Sequence, residues 1–126
     1  MDDQHYRDYC LRLLQNFADM IGAEAARSSE DDPLRELAAG FEAIARGEDL
    51  YDRGPDLVAR LFAGCPQLAP AFPREVLWFL GGDCLHFMPD EELSVFQALD
   101  DRRADAAAQG RVLDYHEEKA KLLKLQ

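Results

Sequence analysis

Several residues that could do chemistry lie close together in one unusual segment, LWFLGGDCLHFMPDEEL, at residues 77–93. Within it, Asp83, Cys84 and His86 follow a pair of glycines. An aspartate three residues before a histidine can orient the imidazole for proton transfer, as a carboxylate does in a catalytic pair. Histidine, cysteine and aspartate side chains also bind metal ions. The residue types therefore raise two chemical hypotheses, a small enzyme and a metal-binding protein, both of which use Asp83 and His86.

The spacing of these residues argues against a metal site, and the enzyme hypothesis lacks an evident third catalytic residue in the sequence. On a straight helix each residue turns the chain by ~100°, so Cys84 and His86 would point roughly 160° apart and could not hold one ion. A lone histidine between Leu85 and Phe87 is typical of a core histidine with a satisfied hydrogen bond. The apolar and acidic neighbours of Cys84 favour a packing thiol over a nucleophile. The sequence has no phosphate loop, dinucleotide fingerprint or serine-elbow motif, and we expect no cofactor and no metal.

The glycine pair Gly81-Gly82 allows two local structures. If a helix runs unbroken from Pro73 to Phe87, Gly82, Asp83 and His86 share one side of it, and the glycines let a neighbouring helix approach closely. If the chain breaks at the pair, Asp83 would cap the following turn. Two glycines inside a helix cost ~2 kcal/mol relative to alanine, but the close approach favours the continuous helix. We take Gly81, Gly82, Asp83 and His86 as a candidate cluster for binding or for structure.

The rest of the chain, which has to position this segment, shows the apolar periodicity of helices. Apolar residues recur at i, i+3, i+4 and i+7, and no alternating strand pattern competes. In the third element Gly54-Pro55 predicts either a kink or a fresh start with Pro55 in the first turn. The expected landmarks are a first helix from Tyr6, a second from Asp32-Pro33 to Gly47, a third around Leu50–Gly64, a fourth from Pro73, a fifth from Pro89 to Gly110, and a last one opened by Asp114 and Glu117 that carries Leu122, Leu123 and Leu125.

These elements predict an all-α fold, an antiparallel bundle of five to six helices. At 126 residues the chain has the length of one domain, so residues 1–126 are expected to form a single helical domain. The connector PQLAPAFP holds three prolines in eight residues, but Leu68 and Phe72 should pack onto the core. The fourth helix is apolar on all sides, which is typical of a central, buried helix.

The charge balance restricts the partners of the chain. It holds 25 Asp and Glu residues against 14 Lys and Arg, a net charge of −11, so nucleic acid and anionic membranes should repel it. A mimic of DNA would need its acids on one face, and here they are spread from Asp2 to Glu118. The acidic N-terminus does not resemble a signal peptide, and no apolar run is long enough for a membrane. Three cysteines without C-x-x-C spacing predict free thiols and a cytoplasmic location.

The middle third of the chain resembles a known group of proteins. PREVLWFLGGDCLHFMPDEEL, preceded by LVARLFAGCPQLAPAFP, is similar to a family of short uncharacterised bacterial proteins. The resemblance implies a bacterial, cytoplasmic origin. It implies no activity, cofactor or partner, and no functional residue can be carried over.

A non-catalytic protein-interaction or regulatory module is therefore the leading hypothesis. No complete catalytic set is present, and the apolar helical faces are wide for one small core. The candidate partner surface is the turn into the fifth helix, with a Met-Pro pair beside an acidic helix start. The competing interpretation is that Phe87 and Met88 plug the helical hairpin. The expected partner is another protein or a second copy of the chain, and the candidate contact residues are Phe87, Met88, Pro89, Asp90 and Glu91.

Overall fold

Helices form the regular secondary structure of residues 1–124, the residues that the computed structural model describes. Within that range there is no strand, and no helix is both long and apolar enough to cross a membrane. The prediction of an all-α bundle is confirmed, and six α-helices match the upper end of the expected number. They are α1 (Asp3–Ala26), α2 (Pro33–Ala45), α3 (Leu50–Gly64), α4 (Arg74–Leu80), α5 (Asp90–Ala108) and α6 (Tyr115–Lys124), with two short 3-10 helices at Ala69–Ala71 and Gly82–Phe87. Leu125, which was expected in the last helix, lies outside the described residues.

Aspartate side chains cap three of the helix starts. Asp32 accepts a hydrogen bond from the backbone N–H two residues ahead at 2.9 Å, and Asp114 accepts one from the N–H three residues ahead at 3.1 Å. Both starts were predicted. Asp2 caps α1 in the same way at 2.8 Å, so α1 begins before Tyr6. These carboxylates satisfy N–H groups that have no partner inside the helix.

An aromatic cluster marks the centre of the core. Phe72 is only 1% exposed, and its ring centroid lies 5.0 Å from that of Phe17 and 5.8 Å from that of Phe41. Leu68 packs against the same core while it remains partly exposed. The prediction that the proline-rich connector packs down is confirmed. The connector therefore fixes where α4 begins relative to α1 and α2.

α3 continues through Gly54-Pro55, so the predicted fresh start at Pro55 is wrong. The proline removes one backbone donor, which leaves the carbonyl of Tyr51 without its usual partner. The glycine has a packing role. A Cβ atom at Gly54 would lie 2.9 Å from Cδ2 of Leu80, so glycine lets the end of α4 approach α3 closely.

α4 ends at Leu80, and the prediction of a continuous helix to Phe87 is wrong. Gly81 has φ 66° and ψ −154°, a conformation that is essentially restricted to glycine. Gly82 also has a positive φ, 54°. The chain therefore leaves the helix at the glycine pair and re-enters a tighter 3-10 helix in another direction.

This break changes how much of α4 is buried. Val76 and Leu77 are fully buried, but Trp78, Phe79 and Leu80 remain half-exposed. The expectation of a helix buried on every side is therefore wrong for its last turn. An apolar surface results at the end of α4.

Candidate functional site

Asp83 and His86 lie on one side of the second 3-10 helix, because residues three apart eclipse each other in that geometry. Both side chains are exposed. In the part of the chain that the structure describes, neither makes a side-chain hydrogen bond or an ion pair, and the predicted cap by Asp83 does not form. The prediction of a core histidine is also wrong, because the break at Gly81 redirects this segment and leaves His86 in solvent.

The structure does not support a metal site or a reactive cysteine at Asp83, Cys84 and His86. Among residues 1–124, no three His, Cys, Asp or Glu side chains gather where they could hold a metal ion. Cys84 is 1% exposed, and burial, with the charge of Asp83 adding to it, raises the pKa of its thiol to about 11. Burial likewise raises the pKa of the Cys10 thiol to about 12. Both thiols are protonated at neutral pH and pack in the core, so neither is an activated nucleophile.

The predicted partner surface at the turn into α5 contains both buried and exposed residues. Met88 is 5% exposed and belongs to the core, so it is not available to a partner. Phe87 is half-buried, and its ring centroid lies 4.3 Å from that of Phe62. Burial of these two apolar side chains stabilises the turn. In contrast, Pro89, Asp90 and Glu91 are exposed.

Arg74 fixes the geometry of this turn. Its Nη2 donates to the backbone carbonyl of Phe87 at 2.9 Å, and its Nε donates to Oε1 of Glu92 at 2.7 Å. One guanidinium thus connects the start of α4 with the start of α5. The first turn of α5 is therefore held beside the first turn of α4, and Trp78 at the end of α4 contacts Phe96 and Asp100 further along α5.

A groove of about 510 Å³ lies between the end of α4, the second 3-10 helix and α5. Three half-exposed apolar side chains, Trp78, Leu85 and Leu93, form its apolar part. We call it the Trp78 groove. Its remaining lining residues are Ser94, Gln97, Ala98 and Asp101.

Trp78 is held rigidly at the edge of this groove. Its ring stacks on Phe96 with centroids 5.9 Å apart and planes 19° from parallel. Its indole N–H donates to Oδ2 of Asp100 at 3.0 Å. A tryptophan with a fixed ring and a satisfied N–H offers apolar area at low entropic cost, which is typical of an interface anchor.

The Trp78 groove is acidic. None of its lining residues is a cation, and Asp101 contributes a carboxylate. Outside the lining, Asp90 and Asp105 are exposed carboxylates of α5, and in residues 1–124 neither takes part in an ion pair. An apolar surface beside unneutralised carboxylates concentrates negative potential, because water screens it less there.

Trp78 also lines a smaller cavity of about 210 Å³, together with Asp3, Tyr6, Phe79, Asp100 and Arg103. Arg103 dominates it, with the guanidinium carbon 4.3 Å from the ring centroid of Tyr6. Its Nη1 donates to Asp3 at 2.6 Å and its Nη2 donates to Asp100 at 2.8 Å. The chain's own arginine therefore occupies this cage of aromatic rings and carboxylates, and it connects α5 to α1.

Buried polar groups lie beside Arg103. They are its own Nε and the hydroxyl groups of Tyr6 and Tyr115, and the two hydroxyl groups are close enough to interact with each other. Burial raises the pKa of both tyrosines, so they stay protonated at neutral pH. The Cys10 thiol beside them is also protonated, so neither the two phenols nor this thiol is an ionised nucleophile at neutral pH. Among the cavities of the described residues, the Trp78 groove combines an exposed tryptophan edge with two leucine side chains, which suits it to recognition.

The sequence did not single out the residues of this groove. Leu93 was not among the candidate contact residues, and Trp78 belonged to a helix that was expected to be buried on all sides. The i, i+4 spacing of Leu93 and Gln97 and the position of Trp78 just before the glycine pair were available signals. Their meaning depends on the break at Gly81, which exposes the last turn of α4.

Comparison with known proteins gives one family. A protein-family model described as PA2817-like matches residues 2–126. No curated protein and no solved structure matches the chain. The description of the family names no activity, so the function has to be inferred from the residues of the groove.

Proposed function

The chain belongs to the PA2817-like family, and we propose that it is a non-catalytic protein-interaction module that binds a partner protein in the Trp78 groove. The observation that carries the proposal is the rigid, half-exposed tryptophan beside Leu85 and Leu93. These side chains pack against the core but stay partly exposed, so each has apolar surface that a partner could cover.

The form of the groove supports this proposal. Interfaces are enriched in tryptophan and other aromatic residues at their centre, and a polar rim surrounds them. Here Trp78, Leu85 and Leu93 provide the apolar centre, and Ser94 and Gln97 provide exposed hydrogen-bonding groups on its α5 side. Such an arrangement binds protein side chains without a need for reactive groups.

The exposed part of the predicted turn surface extends the groove. Pro89, Asp90 and Glu91 precede Leu93 and are exposed, and we propose that they extend the docking surface. Pro89 and Glu91 also line a separate cavity beside Arg74 and Lys119. Phe87, which precedes these residues, packs its ring against Phe62 of α3. We include the three exposed residues in the docking surface and leave out Met88.

Site-specific photocrosslinking in cells tests the proposal. p-Benzoylphenylalanine placed at Gln97, in the groove, should give one discrete cross-linked partner. The same group placed at Met20, an exposed apolar residue of α1, should not give that product. Ser94→Tyr, which fills the groove, should abolish the product from Gln97 without a change in the melting temperature.

Three results would contradict the proposal. They are equal cross-linking from both positions, no product from Gln97, and a product that survives Ser94→Tyr in the folded protein. A cross-linked product at twice the mass of the chain would identify the partner as a second copy. Light scattering of the purified protein at micromolar concentration would then show a dimer.

A further inference from the structure

The chemistry of the partner can be inferred from the charges around the groove. We propose that the occupant of the Trp78 groove is a basic amphipathic helix of a partner protein. This inference rests on the proposed docking function and adds the partner's chemistry to it. The determining observation is the juxtaposition of an apolar centre with a line of carboxylates on α5 that no cation of the described chain neutralises.

The carboxylates follow the same face of α5 as the groove. With a turn of ~100° per residue, Asp90, Ser94, Gln97, Asp101 and Asp105 fall within roughly 80° of one another around the helix. Ser94, Gln97 and Asp101 line the groove directly. Asp90 and Asp105 therefore extend the line beyond its two ends.

The spacing of these carboxylates suits a helix. Asp90 and Asp101 are eleven residues apart, which corresponds to roughly 16 Å along α5. An amphipathic helix of about three turns covers that length, with apolar residues at i, i+4 and i+7 directed at the groove. Lysine or arginine near both of its ends would then lie close to the carboxylates of Asp90 and Asp101.

Local electrostatics favour a cation and oppose an acidic partner. The nearby arginines are already engaged, since Arg102 pairs with Glu118 at 2.5 Å and Arg103 with Asp100 at 2.8 Å. Asp101 accepts only a neutral hydrogen bond, from Gln97 at 3.1 Å. Two copies of a chain with charge −11 would also repel each other at acidic surfaces. A basic segment of another protein is therefore the better complement.

The single tryptophan of the chain reports on occupancy. The probe is a synthetic 14-residue helical peptide without tryptophan, with leucine at positions 4, 8 and 11 and lysine at both ends. Its titration should change the fluorescence of Trp78 saturably. A peptide with glutamate in place of lysine should give no saturable change. Raising NaCl from about 50 to about 300 mM should weaken binding of the lysine peptide about tenfold.

Matched variants separate site-specific binding from general attraction. The double variant Asp101→Asn, Asp105→Asn should raise the Kd of the lysine peptide about tenfold. Glu30→Gln, Asp31→Asn changes the net charge equally in the exposed segment between α1 and α2, and it should change the Kd less than about twofold. Leu93→Ser should also weaken binding, while urea unfolding verifies that each variant is folded.

The failures of the two proposals can be distinguished. Equal effects of the two double variants, or no effect of Leu93→Ser, would show general electrostatic attraction and overturn the inference. A partner cross-linked from Gln97 that binds through an acidic or uncharged segment, or as a second copy, would overturn the inference and leave the docking function standing. Absence of the position-specific cross-link would contradict the docking function itself.

Discussion

Gly81 determines the local structure of the candidate site. Its φ of 66° and ψ of −154° place the backbone where a Cβ atom is strongly disfavoured. This conformation ends α4 and lets Cys84 and Met88 return to the core. Because the chain changes direction at Gly81, Trp78 before it stays partly exposed and Cys84 after it is buried.

Substitution of Gly81 tests this role. Gly81→Ala should destabilise the protein by ~1–3 kcal/mol, because alanine has to adopt a glycine-only conformation. Gly22→Ala is the control, because Gly22 lies inside α1 and a Cβ atom added there would meet nothing within 4 Å. That change should stabilise by ~0.5–1 kcal/mol. Urea unfolding measures both, and equal effects of the two substitutions would contradict the assignment.

The buried thiols predict instability at alkaline pH. The folded-state pKa values, about 12 for Cys10 and about 11 for Cys84, lie above the ordinary value of 9.0. Unfolded thiols therefore ionise first. The stability that each thiol contributes is complete below pH 9 and is lost as the pH rises from 9 through the folded-state pKa.

Urea unfolding between pH 8 and pH 11 measures this loss. The slope should be ~1 kcal/mol per pH unit for each buried thiol, and Cys84→Ala should make it shallower. At pH 8 a thiol reagent should modify the partly exposed Cys65 rapidly and the two buried thiols only after unfolding. Rapid modification of all three thiols, or stability that rises above pH 9, would contradict this prediction.

At the scale of elements, helix type and order could be predicted because they depend on local signals. Asp32 and Asp114 cap the helices that they were expected to cap, and Phe72 packs as its position in an apolar connector indicates. The break in α4 could not be predicted in this way. A glycine pair permits both structures, and the choice depends on packing between distant residues such as Leu80 and Gly54.

The same dependence explains why the groove was missed. Periodicity identifies the apolar side chains of a helix, but it does not show which of them another element covers. Leu93 and Phe96 belong to one apolar face of α5, yet Phe96 is 3% exposed and Leu93 is half-exposed. Trp78 covers Phe96 through ring stacking. Only the relative position of α4 and α5 distinguishes the two residues.

The attachment of α6 depends on a buried ion pair. Glu75 of α4 is 7% exposed, and it accepts a hydrogen bond from the ammonium group of Lys119. Lys119 also lies 5.6 Å from the ring centroid of Phe96, and burial lowers its pKa. Because a buried carboxylate without its partner is costly, this pair should contribute more than the exposed ones.

A double-mutant cycle measures the pair. Lys119→Met should destabilise by ~3 kcal/mol because it leaves Glu75 unpaired, and the added change Glu75→Gln should restore ~1–3 kcal/mol. Arg46→Ala, which removes an exposed pair with Glu42, should cost ~0.5 kcal/mol or less. Additive effects at Glu75 and Lys119 would show that the two groups do not interact.

At the scale of the whole molecule, charge is the dominant feature. The net charge of −11 arises from 25 acids on a chain of 126 residues, and many of them are exposed without a nearby cation. Close packing of the helices brings these like charges together, so repulsion opposes folding at low ionic strength. Salt should therefore stabilise the native state, although it also weakens exposed ion pairs.

The melting temperature at pH 7 measures which of these two effects is larger. Raising NaCl from about 20 to about 500 mM should increase it by about 3–6 °C, which corresponds to relief of ~1 kcal/mol of repulsion. The same titration near pH 4.6, where the net charge vanishes, is the control and should give a much smaller increase. A lower melting temperature in salt at pH 7 would show that local ion pairs outweigh the acidic excess. In that case exposed ion pairs such as Arg46–Glu42 would each contribute more to the free energy of unfolding than is usual for pairs that water screens.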